Sequence, residues 1–170
     1  KTRETKRYDR RPGSTTLFEG WGIGEKGYGG GTTNHAWSGG ALTVIAGQLC
    51  GIRPLEPGYS VFGVEPDPAS FRDVSIRVPT VRGIVGEELR IEGARLSLRV
   101  IVPEGTTAVV TLPQGAAGPR VDGRSPSAGQ LRVAERYRKP ARIQLSLTSG
   151  DYRIESEFDP APDGLPVSGS

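Results

Sequence analysis

Short runs of alternating apolar and polar residues fill much of the chain after residue 70. The clearest run covers residues 95–102. Its apolar face consists of Leu96, Leu98, Val100 and Val102, and its other face of Arg95, Ser97, Arg99 and Ile101. A period of two is typical of a β-strand that buries one face. We therefore predict a half-buried strand here.

Further runs of the same kind predict a series of short strands. They cover Val74–Val81, Ile84–Ile91, Thr107–Leu112, Leu131–Tyr137, Ile143–Leu147 and Tyr152–Phe158. Turn-forming residues such as Gly83 and Gly93 separate them. Regularly spaced short strands predict an antiparallel β-sandwich. The 25 glycines and 14 prolines also favour a mainly β fold.

Residues 37–49 change to the period of a helix. Leu42, Ile45, Ala46 and Leu49 lie at i, i+3, i+4 and i+7, which predicts one apolar stripe facing a core. Gly51 follows at the position where a left-handed residue ends a helix. We predict a short helix that precedes the sandwich.

Charge and cysteine content exclude several classes of function. The formal net charge of +3 arises from a basic run in residues 1–12, which lacks zinc-ligand and helix-turn-helix patterns, so we expect no nucleic-acid partner. One histidine and one cysteine exclude a disulfide and a zinc site, and Cys50 is expected to be a buried, inert thiol. No stretch approaches the ~20 apolar residues of a membrane span. Without methionine, the sequence is expected to be part of a longer chain.

The rarest residue types lie close together in the N-terminal part. They are Trp21, Asn34, His35 and Trp37, which comprise the only histidine, the only asparagine and both tryptophans, and the carboxylate of Glu19 lies at the start of the cluster. Indole rings stack on the apolar face of a sugar, amide and imidazole groups bind hydroxyls, and a carboxyl group transfers protons. The cluster is therefore consistent with a sugar site. The alternative is an ordinary core with two buried tryptophans.

Several strings resemble, in this order, the C-terminal end of bacterial α-L-rhamnosidases. They are TTLFEGW (15–21), GGGTTNHAWSGGALTVIAGQLCGIRPLEPGY (29–59), VFGVEPDP (61–68), VPEGTTAVVTLP (102–113) and SGDYRIE (149–155). That family consists of inverting glycoside hydrolases with an (α/α)6 barrel followed by a β-sandwich. The resemblance therefore implies hydrolysis of terminal α-L-rhamnosides, without a cofactor or metal, when the full barrel is present.

The resemblance also implies roles for individual residues. Glu19 matches the glutamate that acts as the general base, and Trp21, Asn34 and His35 would line the rhamnose subsite. Phe18 stands where many members have Trp. The general acid and the remaining barrel would lie outside this chain, so the 170 residues alone are expected to be inactive. The family favours a periplasmic or extracellular location without fixing it.

The expected organisation has three parts. Residues 1–68 would form the incomplete end of the barrel, residues 69–158 the β-sandwich, and residues 159–170 a disordered tail. The alternative function is a non-catalytic sandwich that binds carbohydrate or serves a structural role. Within the site, His35 is expected to point into the cavity and Trp37 into packing, because positions two apart on an α-helix face about 200° apart.

Overall fold

The computed structural model describes residues 35–68, 71–133 and 142–159. The chain separates into two compact units, residues 1–44 and residues 45–170. The described part of the first unit is residues 35–44, and the described parts of the second unit contain ten β-strands. The division predicted from sequence, with boundaries at 68/69 and 158/159, stays a prediction. Most of the predicted tail, residues 160–170, lies outside the described residues.

The helical stretch has three geometries in succession. A 3-10 turn covers Ala36–Gly39, an α-helix, α1, covers Gly40–Val44, and a π-helical turn covers Ile45–Leu49. The predicted continuous α-helix is therefore correct in place but wrong in geometry. Glycines at positions 39, 40 and 47 lower helix propensity, and three β-branched residues in a row at 43–45 lower it further.

The predicted apolar stripe of this helix is also wrong in part. Leu42 is 68% exposed and Ile45 is 40% exposed, so these two side chains do not face the core as expected. Leu49 is half-buried, and Cys50 directly after it is fully buried. Burial therefore begins at the end of the helical stretch.

One sheet of the sandwich, sheet A, contains five strands. In chain order they are β1 (Arg53–Pro54), β2 (Val61–Val64), β6 (Thr107–Thr111), β8 (Leu131–Val133) and β9 (Ile143–Leu147). Their order across the sheet is β1-β2-β6-β9-β8. The β2–β6 pair is parallel, and the other pairs of this sheet are antiparallel.

The other sheet, sheet B, contains the longer strands and is antiparallel throughout. They are β3 (Asp73–Thr80), β4 (Gly83–Glu92), β5 (Arg95–Val102), β7 (Ala116–Val121) and β10 (Gly150–Phe158). Their order is β3-β4-β5-β10-β7. The pairs formed by β4 and β5 and by β5 and β10 run without a break in register.

Alternate residues of both sheets form one hydrophobic core. Sheet A contributes Phe62, Val64, Ala108, Val110, Leu145 and Leu147. Sheet B contributes Val85, Leu89, Ile91, Leu96, Leu98, Val100, Val102, Val121, Ile154 and Phe158. Cys50, Ile52 and Leu112 complete the core from outside the strands. The prediction of a mainly β, two-sheet sandwich is therefore confirmed, with one parallel pair added.

The alternation predicted most strand positions but missed three strands. The predicted faces of residues 95–102 are confirmed, since the even-numbered side chains are buried. The missed strands are β1, β2 and β7. The first two are very short, and β7 contains Gly118 and Pro119, which are typical of a loop. β7 is tolerated because it lies at a sheet edge and its register on β10 shifts between Glu155 and Glu157.

Candidate functional site

The predicted sugar site lies almost entirely outside the described residues. Glu19, Trp21 and Asn34 belong to the segment that the structure does not describe. His35 is half-buried and lies directly before the 3-10 turn, and the backbone of Trp37 lies within that turn. The roles of all five residues stay predictions. Because His35 lies before the turn and Trp37 within it, the α-helical spacing that predicts opposite directions for them does not apply here.

The chain enters the sandwich through a tightly fitted turn at Gly51. The φ of Gly51 is +66°, and a Cβ atom added there would lie 2.0 Å from the backbone oxygen of Glu65. The Asp67 N–H donates to the Leu49 carbonyl at 3.1 Å, which fixes the turn against the strand exit after β2. The predicted left-handed stop at Gly51 is therefore confirmed, and the close approach adds a second reason for glycine.

The thiol of Cys50 is fully buried beside this turn. Burial, together with a smaller effect of the charge of Glu87, raises its pKa to about 11. The thiolate is the nucleophilic form of cysteine, and a raised pKa leaves almost none of it at neutral pH. The interpretation of Cys50 as an inert core residue is consistent with this environment.

Glu87 is a carboxyl group in the middle of the apolar core. It is 0% exposed, and neither side-chain oxygen has a hydrogen-bond partner among the described residues. Burial raises the pKa of Glu87 to about 8. The sequence carried a signal for this residue, because Val85, Glu87, Leu89 and Ile91 share one face of the predicted strand. Strand alternation alone does not single out Glu87 as a candidate, because it does not show which buried groups lack hydrogen-bond partners.

A second acid, the half-buried Glu65, is paired on both sides. Arg53 donates from Nη2 to Glu65 Oε2 at 2.6 Å, and Arg142 donates to the other oxygen. These pairs connect β1, the residue after β2 and the residue before β9, all on sheet A. Charge-assisted hydrogen bonds from two guanidinium groups to the two oxygens of one carboxylate form a strong structural link. The cluster fixes one end of the sheet.

The solvent-facing side of sheet B carries a row of paired charges. Arg99 donates to both oxygens of Asp151, at 2.9 and 2.7 Å, and to Glu88 at 3.0 Å. Hydrogen bonds from Arg99 lower the pKa of Asp151 below its usual value. All three side chains are solvent-accessible, so the row contributes little to stability.

A mainly apolar cavity of about 770 Å³ opens where the β1–β2 connection meets the end of β3. Its walls include Pro54, Leu55, Tyr59, Pro79 and Val81. The described residues contain no group of three or more His, Cys, Asp and Glu side chains able to hold a metal ion. Within the same residues, no helix has the length and apolar character needed to cross a membrane.

Comparison with known families gives a match in the sandwich. The family model of the bacterial α-L-rhamnosidase C-terminal domain matches residues 51–125. An α-L-rhamnosidase of Formosa agariphila is 26% identical over 159 residues, which cover 89% of this chain and 17% of that protein. The chain therefore spans about a sixth of the length of this relative.

Solved structures show the same fold. The α-L-rhamnosidase from Dictyoglumus thermophilum has a TM-score of 0.63 at 24% identity, over 86% of this chain and 16% of that one. The Streptomyces avermitilis α-L-rhamnosidase, solved with L-rhamnose, has a TM-score of 0.56 at 19% identity, over 85% and 14%. That of Aspergillus terreus has a TM-score of 0.53 at 19% identity, over 84% and 14%. The resemblance to the C-terminal part of α-L-rhamnosidases is confirmed.

Proposed function

We propose that this chain, which carries a C-terminal domain of the bacterial α-L-rhamnosidase type, is part of a hydrolase that cleaves terminal α-L-rhamnosides with inversion. The observation that carries the proposal is the family match at residues 51–125, which directly follow the motif-bearing residues 15–50. The sandwich fold that the chain shares with solved α-L-rhamnosidases supports it.

In this proposal, residues 15–35 supply one half of the catalytic site. Glu19 acts as general base and activates a water molecule for attack on the anomeric carbon. Trp21, Asn34 and His35 bind the sugar. Inversion requires a second carboxyl group, the general acid, about 6.5–9.5 Å from the base so that water fits between them. That acid would come from a part of the longer protein outside these 170 residues.

The sandwich itself would have a structural role. A sheet that binds sugar presents several exposed aromatic rings. In this sandwich Phe62 and Phe158 are buried, and Tyr59 and Tyr152 pack against the core from its rim. Phe71 is 38% exposed and stands before β3. This distribution of aromatic rings favours a catalytic function of the longer protein over the alternative, an independent carbohydrate-binding module.

The stereochemistry of hydrolysis tests the proposal. The longer protein would be mixed with 4-nitrophenyl α-L-rhamnoside and followed by proton NMR. We expect β-L-rhamnose to appear first and the α-anomer to follow by mutarotation. The 170-residue chain alone should give no turnover. First appearance of the α-anomer, or turnover by the isolated chain, would contradict the assignment of roles.

A further inference from the structure

The buried carboxyl group of Glu87 has no use in the proposed catalytic site. A carboxylate that is out of water and unpaired is strongly disfavoured, so the group is stable there in its neutral, protonated form. Neither oxygen has a partner among the described residues, so loss of the proton leaves an uncompensated charge inside the core. The domain must then either expose Glu87 to water or lose stability.

Among the residues that the structure describes, the groups that face Glu87 offer no compensating charge. Its direct neighbours on the adjacent strands are Ile76 and Val100. The buried side chains of sheet A that share the core are Phe62, Val64, Ala108, Val110, Leu145 and Leu147. Within residues 35–68, 71–133 and 142–159, the titratable groups that belong to this core or pack against it are the Cys50 thiol, which responds to the charge of Glu87, and the phenols of Tyr59 and Tyr152. An ionised Glu87 therefore meets apolar walls and a neutral thiol.

One segment of this core has fewer described backbone hydrogen bonds to its neighbours than the strands have to one another. We call residues 45–52 the cover segment; it places Cys50 and Ile52 in the core. Two of its backbone hydrogen bonds are internal, Cys50 to Ile45 and Ile52 to Ala46, and the Leu49 carbonyl accepts from Asp67 outside it. By contrast, β4 is paired along its length with β3 on one side and β5 on the other. Local opening takes place where the fewest backbone bonds break.

We propose that Glu87 and the cover segment form a proton-sensitive latch. With Glu87 protonated, the cover segment stays seated and Cys50 is buried. Ionisation of Glu87 favours a state in which the cover segment lifts, water reaches the carboxylate, and Cys50 becomes accessible. This device is independent of the proposed catalytic role of Glu19.

The direction of the pH dependence follows from the two states. The pKa of Glu87 is about 8 in the closed state, and in water it takes its ordinary value of 4.5. The closed state therefore binds the proton more tightly. The opening constant rises about tenfold per pH unit between these two values and levels off above pH 8. Alkaline conditions open the latch, and mildly acidic conditions close it.

Cys50 is the only cysteine, so thiol labelling of the 170-residue chain reports this site alone. The rate of reaction with Ellman's reagent is measured from pH 6 to 9 for the folded chain and for the same chain in denaturant. At each pH, the rate in denaturant is divided by the rate of the folded chain. This ratio, the protection factor, removes the intrinsic pH dependence of the thiol. We expect it to fall about tenfold per unit from pH 6 to 7.5 and then to level off.

Two variants separate the latch from other causes. Glu87→Gln keeps the shape but cannot ionise, so its protection factor should be independent of pH. Glu92→Gln, at the exposed end of the same strand, should behave as the wild type. A wild-type protection factor that does not change with pH, or a Glu87→Gln variant that keeps the wild-type slope, would overturn the proposal.

Hydrogen exchange measured by mass spectrometry distinguishes local opening from global unfolding. If Glu87→Gln does not fold, the same measurement on the wild type still tests the latch. Protection of amides in residues 45–52 should fall with rising pH, whereas protection in Arg95–Val102 should change much less. An equal loss of protection in both segments would mean that the whole domain unfolds, and the latch would be wrong.

Discussion

At the scale of single residues, Gly51 combines two requirements that no other residue type meets. Its φ of +66° lies in the left-handed region, and the space where a Cβ would lie is occupied by the backbone of Glu65. Gly93, in the β4–β5 turn, has a similar φ of +56° but nothing within 4 Å of the Cβ position. The two glycines therefore separate the cost of backbone conformation from the cost of steric overlap.

Substitution by alanine at these two positions should give different results. Gly93→Ala should lower the free energy of unfolding by about 1–2 kcal/mol, the cost of left-handed geometry for an L-residue. Gly51→Ala should cost more than about 4 kcal/mol or prevent folding, because backbone atoms must move. Urea denaturation of both variants measures the difference. Similar costs at both positions would show that the turn at Gly51 adapts easily.

At the scale of elements, β2 lies before the predicted boundary at residue 69 and yet is a strand of the sandwich. It pairs in parallel with β6, from Val61 beside Thr107 to Val64 beside Val110. Its Phe62 and Val64 are fully buried in the shared core. The cover segment before it adds Cys50 and Ile52 to the same core. This packing gives reason to expect that the independently folding unit begins near Ile45 rather than at residue 69.

Two truncated chains test where the folding unit begins. Residues 45–160 should show a cooperative thermal transition with a β-type circular dichroism spectrum. Residues 69–160 lack Phe62, and removal of one buried aromatic side chain alone costs about 3–5 kcal/mol. We expect the shorter chain to bind hydrophobic dyes and to unfold without a cooperative transition. Equal cooperativity of both chains would favour the boundary at 68/69.

The sequence predicted those elements in which one simple period dominates. Alternation located β3 to β6 and β8 to β10. It missed β7, where Gly118 and Pro119 hide a strand that an edge position permits. It placed the helical stretch correctly but not its geometry, because glycines and β-branched residues disrupt a regular helix. Glu87 lies on the same strand face as Val85, Leu89 and Ile91, but its lack of partners depends on both sheets at once.

The candidate catalytic residues depended on a different kind of information. Glu19 was chosen from a motif and from the neighbouring Trp21, neither of which belongs to a periodic pattern. Its partner acid would lie outside these 170 residues, so no reasoning from this sequence alone locates it. The distance between the two carboxyl groups decides the stereochemistry of glycoside hydrolysis. That part of the proposal therefore has to be tested by kinetics.

At the scale of the whole molecule, the chain combines a motif-bearing segment with a sandwich that resembles the C-terminal part of α-L-rhamnosidases. It spans 17% of the length of the Formosa agariphila relative, so catalysis is a property that we propose for a longer protein. In this arrangement the sandwich contributes no reacting group. Its core and its fitted turn at Gly51 would have a structural role, while Glu19 would provide the chemistry.

The most direct test of this central claim is the turnover number of Glu19→Gln in the longer protein, measured with an aryl α-L-rhamnoside. Loss of a proton-transfer group typically costs about 10²–10⁴-fold in rate, so kcat should fall by at least about 10²-fold. Glu25→Gln, in the same glycine-rich segment, is the matched control and should keep wild-type activity. Near-wild-type turnover by Glu19→Gln, with the same thermal stability as the control, would contradict the assignment of Glu19 as the general base.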